Sequence, residues 1–169
     1  MLALFQDALI GLVEGESVQA RLKSISKPAV SIIVPAYNCD RQIPKCLTSI
    51  FESAAGYMGF CEVIVVDDGS SDHTYEMAWA TIKECRRRWP QISGKVVRHT
   101  ARLGENQALK TGVNKAYGTL IVVVNPQISW KPGTLKDLVE AIEKHGRASS
   151  SPFAAIYRAD ALRRTLWKT

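Results

Sequence analysis

The stretch EVIVVDDGSSD, residues 62–72, decides how the rest of the chain is read. Its apolar, β-branched run from Val63 to Val66 fits a short strand buried on both faces. Asp67 and Asp68 follow that run without a break, so the turn delivers two carboxylates to the strand's carboxyl end, and Gly69 permits a tight backbone path there. Adjacent carboxylates suit hydrogen bonding to a base or ribose, or a share in a divalent metal site. They can also simply begin a capped turn, with Asp72 as N-cap of a helix that runs through Trp89 and stops at Pro90. A phosphoacceptor site of the receiver type would want its acidic pair after the first strand, with Thr and Lys at later strand ends, and those partners are not evident.

Working outward, VSIIVPAYN, residues 30–38, supplies another buried strand closed by Pro35. Ile43, Cys46, Leu47, Ile50, Phe51 and Ala54 then recur at helical spacing. Lys95 to Arg98 reads as a third strand, Asn106 to Tyr117 as a helix closed by Gly118, and Leu120 to Val124 as a fourth strand. Leu135, Leu138, Val139 and Ile142 mark a helix ended by Gly146. Strands alternating with helices imply an α/β domain: a doubly wound, mostly parallel sheet with helices on both faces. Ligands of such sheets bind beyond the carboxyl ends of the strands, which here carry Tyr37-Asn38, Asp67 to Ser70 and Asn125-Pro126-Gln127.

Composition limits the remaining choices. A chain of 169 residues, 46% hydrophobic and 22% charged, has the make-up of one globular domain. The net charge of +6 favours anionic partners, but the excess concentrates in Lys83 to Arg102 and Lys144 to Thr169. It reads as solvated helix faces or an anionic surface, and nucleic acid is not expected. The four cysteines show no zinc spacing and read as free thiols of a reducing compartment. His73, His99 and His145 lie in separate segments and read as structural or surface residues. Phosphate-cradling glycine motifs and a Gly-x-Ser-x-Gly elbow are absent. Leu2, Phe5, Leu9 and Leu12 suggest an amphipathic helix, so residues 1–28 are expected to form a helix and linker ahead of a domain at 29–169. That helix packs by default on its own domain; a second copy, another partner and a membrane surface are the alternatives. No apolar run approaches the ~20 residues of a membrane span, and the expected location is cytoplasmic, with peripheral membrane contact left open.

Residues 30–38 and 62–74 together resemble the opening motifs of glycosyltransferase family 2, which has the GT-A fold, a Rossmann-like nucleotide-diphospho-sugar transferase fold. Gly104 to Gly118, with Ala108, Gly112 and Ala116, is similar to the family's Asn-x-Gly…Ala-x-x-x-Gly…Ala-x-Gly stretch, nearest its dolichyl-phosphate mannose synthase-like branch. The resemblance runs from Val30 to His145. It implies a UDP- or GDP-linked sugar donor and transfer, with inversion, to an acceptor that the sequence does not identify. It also implies that Pro35, Ala36 and Tyr37 line the base and ribose, and that Asp68, with Asp67, accepts their hydrogen bonds. Arg102 replaces the family's Asn of Asn-x-Gly and reads either as a phosphate contact or as a solvated surface residue.

Two departures bear on activity. Where the family places the Asp-x-Asp that holds a divalent cation, this chain has Asn125-Pro126-Gln127. Neutral amide oxygens are weaker ligands for hard cations, so the Mg2+ or Mn2+ implied by the resemblance is weakened, no metal ligands are assigned, and Asn125 and Gln127 are left as nucleotide contacts. The stretch from Ile128 to Thr169 is also shorter than the family's acceptor half, a truncation expected between His145 and Phe153. Ala154 to Leu162 resembles a later strand, Arg and helix, and leaves Asp160 as the one carboxylate beyond Glu143, a catalytic base only by default. No catalytic residue is assigned. The readings are an inverting nucleotide-sugar transferase, a catalytically inactive binding module on the same scaffold, or the donor-binding portion of a larger protein.

Overall fold

The computed structural model describes residues 27–146, 149–151 and 154–168. The expected N-terminal helix therefore lies outside the described residues. Strands β1 (Val30–Ala36), β2 (Cys61–Asp67), β3 (Ser93–Arg98), β4 (Leu120–Val123), β5 (Ser149–Ser151) and β6 (Ala154–Arg158) form a single sheet. Its order is β3-β2-β1-β4-β6-β5. The four strands from β3 to β4 run parallel, and β6 is antiparallel to both β4 and β5. Helices α1 (Ile43–Ala55), α2 (Thr74–Arg88), α3 (Glu105–Asn114), α4 (Thr134–His145) and α5 (Ala159–Leu166) complete the element order.

Alternation along β1 sorts the core into two layers. Val30, Ile32, Val34 and Ala36 join α1, α2 and α4 on one face, whereas Ile33 packs with Ala108 and Val113 of α3 and Leu162 of α5 on the other. The doubly wound, mostly parallel sheet is thus observed. The first three strands step outward from β1, and the chain then returns to place β4 on the other side of β1. That reversal opens a crevice between the carboxyl ends of β1 and β4, where sheets of this kind bind ligands.

Element boundaries shift in several places. β3 begins at Ser93 rather than Lys95, because its pairing with β2 starts at Glu62. α3 stops at Asn114, before the expected Tyr117, where the Tyr117 and Gly118 amides leave the helix pattern to bond Glu62 Oε1 and Ser31 Oγ. The N-cap position of α2 is His73, one residue past the expected Asp72. Asp72 still serves the helix start, accepting from the Thr74 amide at 2.9 Å and the Thr74 hydroxyl at 2.6 Å. These bonds, together with one from the Asp40 amide, outweigh a burial that would raise its carboxyl and hold it below the ordinary value.

The amino-terminal end of the sheet is closed around Glu62, 2% exposed. Its Oε1 accepts from Ser31 Oγ at 2.6 Å and from the Tyr117 amide at 2.7 Å, while Lys95 Nζ lies 3.1 Å from Oε2. A buried carboxylate is tolerable only with such partners. Gly112 lets α3 approach the sheet closely: a Cβ there would stand 2.4 Å from Ile33 Cγ2.

Candidate functional site

A cavity of about 510 Å³ occupies the crevice between β1 and β4. Pro35, Ala36 and Tyr37 line it from the end of β1, Val124 and Asn125 from the end of β4, and Glu105, Ala108 and Leu109 from the first turns of α3. Asp68, Arg102 and Tyr157 complete much of its wall. Six of the eight residues expected at a nucleotide site therefore meet around one cavity, and Asp67 and Gln127 do not line it.

The two adjacent carboxylates have different work. Asp67 is fully buried; its Oδ1 accepts from the Ser70 amide at 3.2 Å and its Oδ2 lies 3.1 Å from Arg98 Nε. Arg98 also bonds the Ser70 carbonyl and lies over the Tyr75 ring, so Asp67 shapes the turn from below. Asp68 turns toward the cavity but is 3% exposed. Its Oδ1 meets His99 Nδ1 at 2.8 Å and the Leu103 amide at 2.9 Å, and its Oδ2 accepts from the Gly104 amide at 2.8 Å. A carboxylate only accepts, so the shared proton sits on His99 Nδ1, while Nε2 on the far side of the ring lies 2.9 Å from the Thr111 hydroxyl. Burial alone would raise the Asp68 carboxyl; the bonds from His99, Leu103 and Gly104 outweigh it and hold the group below its ordinary value.

Sequence reading placed His99 at a strand end but missed its part in this clamp, for which spacing carries no signal. Asn38 was likewise only a polar residue at the end of β1. It adopts φ 46° and accepts from the Ser71 amide at 2.9 Å, while its own amide donates to Ser70 Oγ at 3.0 Å, tying the two strand ends together. Gly69, at φ +68°, presents a bare Cα to the following loop: a Cβ would fall 2.5 Å from Ala101 C and 2.6 Å from Arg102 N. The backbone from Ala101 to Gly104 is thus seated on the Asp-Asp-Gly-Ser turn. From it the Arg102 guanidinium reaches to 4.2 Å from the centre of the Tyr37 ring, a cation–π contact at the cavity's edge.

Asn125 and Gln127 form a local turn in which Asn125 Oδ1 accepts from the Gln127 amide at 2.9 Å. This donor set does not fit a divalent cation. The Asn125 amide oxygen is already engaged, Gln127 lies outside the cavity, and Asp68 is committed to three donors, which leaves Glu105 as a single carboxylate on the wall, too few for a cation site. Among the described residues no cluster of three or more His, Cys, Asp or Glu side chains has metal-binding geometry. Asp160 does not line the cavity either; its Oδ2 accepts from Arg164 Nη2 at 3.0 Å, one turn along the exposed face of α5.

With this geometry in view, comparison with known proteins is decisive for kinship. The family described as "Glycosyl transferase family 2" matches residues 31–167. The chain belongs to glycosyl transferase family 2. Among relatives of this family 2 domain, the dolichol-phosphate mannosyltransferase of Pyrococcus furiosus is 33% identical over 114 residues, 68% of this chain and 30% of that protein. The undecaprenyl-phosphate 4-deoxy-4-formamido-L-arabinose transferase of Serratia proteamaculans is 26% identical over 74% of this chain and 36% of its own length. The chain thus spans about a third of these curated relatives. Among solved structures, a mannosyltransferase from Pyrobaculum calidifontis, in complex with GDP-Man and Mn2+, superposes with a TM-score of 0.69. It is 23% identical, with 84% of this chain and 48% of that one covered. S. aureus TarS in complex with UDP gives a TM-score of 0.63 at 23% identity, over 81% of this chain and 48% of its own. The fold is the GT-A fold expected from the family 2 motifs.

Proposed function

We propose that the crevice between β1 and β4 binds the nucleoside diphosphate of a UDP- or GDP-linked sugar, and that this domain is the donor-binding part of an inverting transferase acting on a polyprenyl phosphate. The observation that carries the reading is the single cavity at the sheet's reversal point, which gathers Pro35, Ala36, Tyr37, Asp68, Arg102 and Asn125. Its volume suits a small-molecule ligand. The names of the relatives, which pair a sugar with dolichol phosphate or undecaprenyl phosphate, support the acceptor class.

In such a transfer an acceptor oxygen forms a bond to the anomeric carbon while the bond from that carbon to the donor diphosphate breaks, the electron pair leaving with the diphosphate. A phosphate-monoester acceptor is already largely dianionic at neutral pH, so its oxygen attacks without prior deprotonation. That chemistry accords with a domain in which Asp160 is spent on Arg164 and stands apart from the cavity. Among the described residues no helix is long and apolar enough to cross a membrane. A lipid-linked acceptor would reach this part of the protein from a membrane surface.

A second reading, a binding module without turnover, draws on the amides at Asn125 and Gln127 in place of carboxylates. Calorimetric titration with UDP- and GDP-sugars, followed by product analysis with an added polyprenyl phosphate, separates the two. Donor binding with glycosylated lipid supports the first reading and excludes the second, which requires binding without product. Absence of binding by any UDP- or GDP-linked donor overturns both.

A further inference from the structure

We infer that Arg102 takes the place of a divalent cation in this site, so that the domain holds a nucleoside diphosphate without metal. The inference rests on the nucleotide-binding reading above and adds to it the charge that meets the phosphates. Two negative phosphates entering a partly closed crevice need a nearby positive charge. The amide at Asn125 and the committed carboxylate of Asp68 cannot assemble a cation to provide it.

Arg102 is built to do so. Its backbone is pinned where Gly69 leaves no room for a Cβ, and the next two amides are tied to Asp68. At its far end the guanidinium is steadied on the Tyr37 ring, 4.2 Å from the centroid. Among the described residues no carboxylate lies within ion-pair distance of it, so its charge is not already matched inside the protein. A guanidinium held at both ends loses little freedom on meeting a phosphate and presents its donors as a planar fork. α3 starts two residues after Leu103 and lines the cavity with its first turns, so the positive end of its dipole adds to the same field. Glu105 is the acidic group on that wall, and the diphosphate would lie on the Arg102 side of it.

In this arrangement the Asp-Asp-Gly-Ser turn acts on the phosphates through the loop it holds: Asp68 and Gly69 are positioning residues, and Arg102 makes the contact. The test is titration of UDP and GDP into the full chain in EDTA and then in Mn2+, with uridine and guanosine followed by ligand-observed NMR. Affinity of the wild-type chain for the diphosphates should be the same in both buffers. Arg102→Ala should weaken them by about tenfold to a hundredfold, the worth of one charge-assisted hydrogen bond, while leaving nucleoside binding in place. Arg102→Lys should recover part of the loss. Diphosphate binding that EDTA abolishes in the wild type overturns the inference and leaves the nucleotide site standing. An equal loss of nucleoside and diphosphate in Arg102→Ala also overturns it, showing Arg102 to act through Tyr37. Failure of UDP and GDP to bind in either buffer overturns the nucleotide reading itself.

Discussion

Replacing Asp68 with Ala should cost stability by an amount set by how each of its three donors can be re-solvated. Hydrogen bonds to a charged acceptor contribute roughly 1.5–3 kcal/mol each, so loss of all three with no recovery would cost roughly 4.5–9 kcal/mol. Recovery is unequal, however. Leu103 is 59% exposed and Gly104 half-buried, so water can reach both amides once the side chain is gone. The His99 ring is 9% exposed and held on its far side by Thr111, so its Nδ1 proton is the donor left stranded. A stranded buried donor costs about 1–3 kcal/mol, and with a residue from the two amides the expected loss is about 2–4 kcal/mol. Urea unfolding followed by circular dichroism should then show a midpoint lowered by roughly 1–2 M, for a denaturant slope of about 2 kcal/mol/M.

Asp68→Asn, which keeps one acceptor and turns a donor toward an amide, should fall between wild type and Asp68→Ala. The pH dependence follows from the same contacts. A carboxyl held below its ordinary value of 3.8 contributes stability that is fully present above that value and is lost as pH falls through the lower folded-state value. The wild type should therefore lose stability on acidification from about pH 5 downward, and Asp68→Asn should lose less over the same interval. An Asp68→Ala protein within about 0.5 kcal/mol of wild type, the ordinary scatter for surface substitutions, with an unchanged acid slope, would refute the clamp.

Glu62→Ala leaves the Ser31 hydroxyl and the Tyr117 amide without their shared acceptor, while the part-exposed Lys95 can turn to water; a stranded buried donor costs about 1–3 kcal/mol, and a calorimetric change under about 0.5 kcal/mol would contradict the role given to that network. Gly112→Val would drive a branched side chain into Ile33 and should cost at least about 1–3 kcal/mol, read as a lowered urea midpoint. All four cysteines are buried, and burial pushes the Cys46 and Cys61 thiols up to about 12. Alkylation at neutral pH should give no labelled cysteine in the native protein and four after denaturation, and fast native labelling of Cys46 would count against the packing of α1.

The strands and their crossing were legible because burial on two faces leaves an unmistakable mark, as in Val63 to Val66 and Ile32 to Val34, and because helices of matching length separate them. The strand at Ala154–Arg158 and the helix after it were foreseen through family resemblance alone, since its alternating burial is too short to register as a pattern. Ser149–Ser151 read as low complexity, and their place as an edge strand follows from pairing with β6, a long-range fact that local sequence does not encode. The site was legible as a set of strand ends. What each residue does there was not. Asp67 and Asp68 are neighbours with the same side chain, yet one faces Arg98 beneath the turn and the other faces the loop above it. Strand alternation decides that division, and it becomes visible only once the next loop is in place.

The placement of acids at the two ends of the sheet bears on how this scaffold tolerates change at its site. At the amino-terminal end, Glu62 binds β1, β2, β3 and the turn entering β4 through Ser31, Lys95 and Tyr117. That arrangement sets the separation of β1 and β4 from behind, away from the cavity. At the carboxyl end, Asp68 fixes the loop from which Arg102 lines the cavity. Both networks therefore carry stability, and the second also carries the geometry of the cavity's rim. Substitutions of the cavity-facing residues Arg102 and Asn125 disturb neither, since their side chains hold only Tyr37 and the Gln127 amide. On the nucleotide-binding reading proposed above, a guanidinium at 102 in place of a metal would therefore leave both networks of the sheet intact. The same separation predicts that Glu62→Gln, at temperatures where it remains folded, binds UDP or GDP as the wild type does, whereas Gly69→Ala loses affinity by displacing the backbone of Arg102.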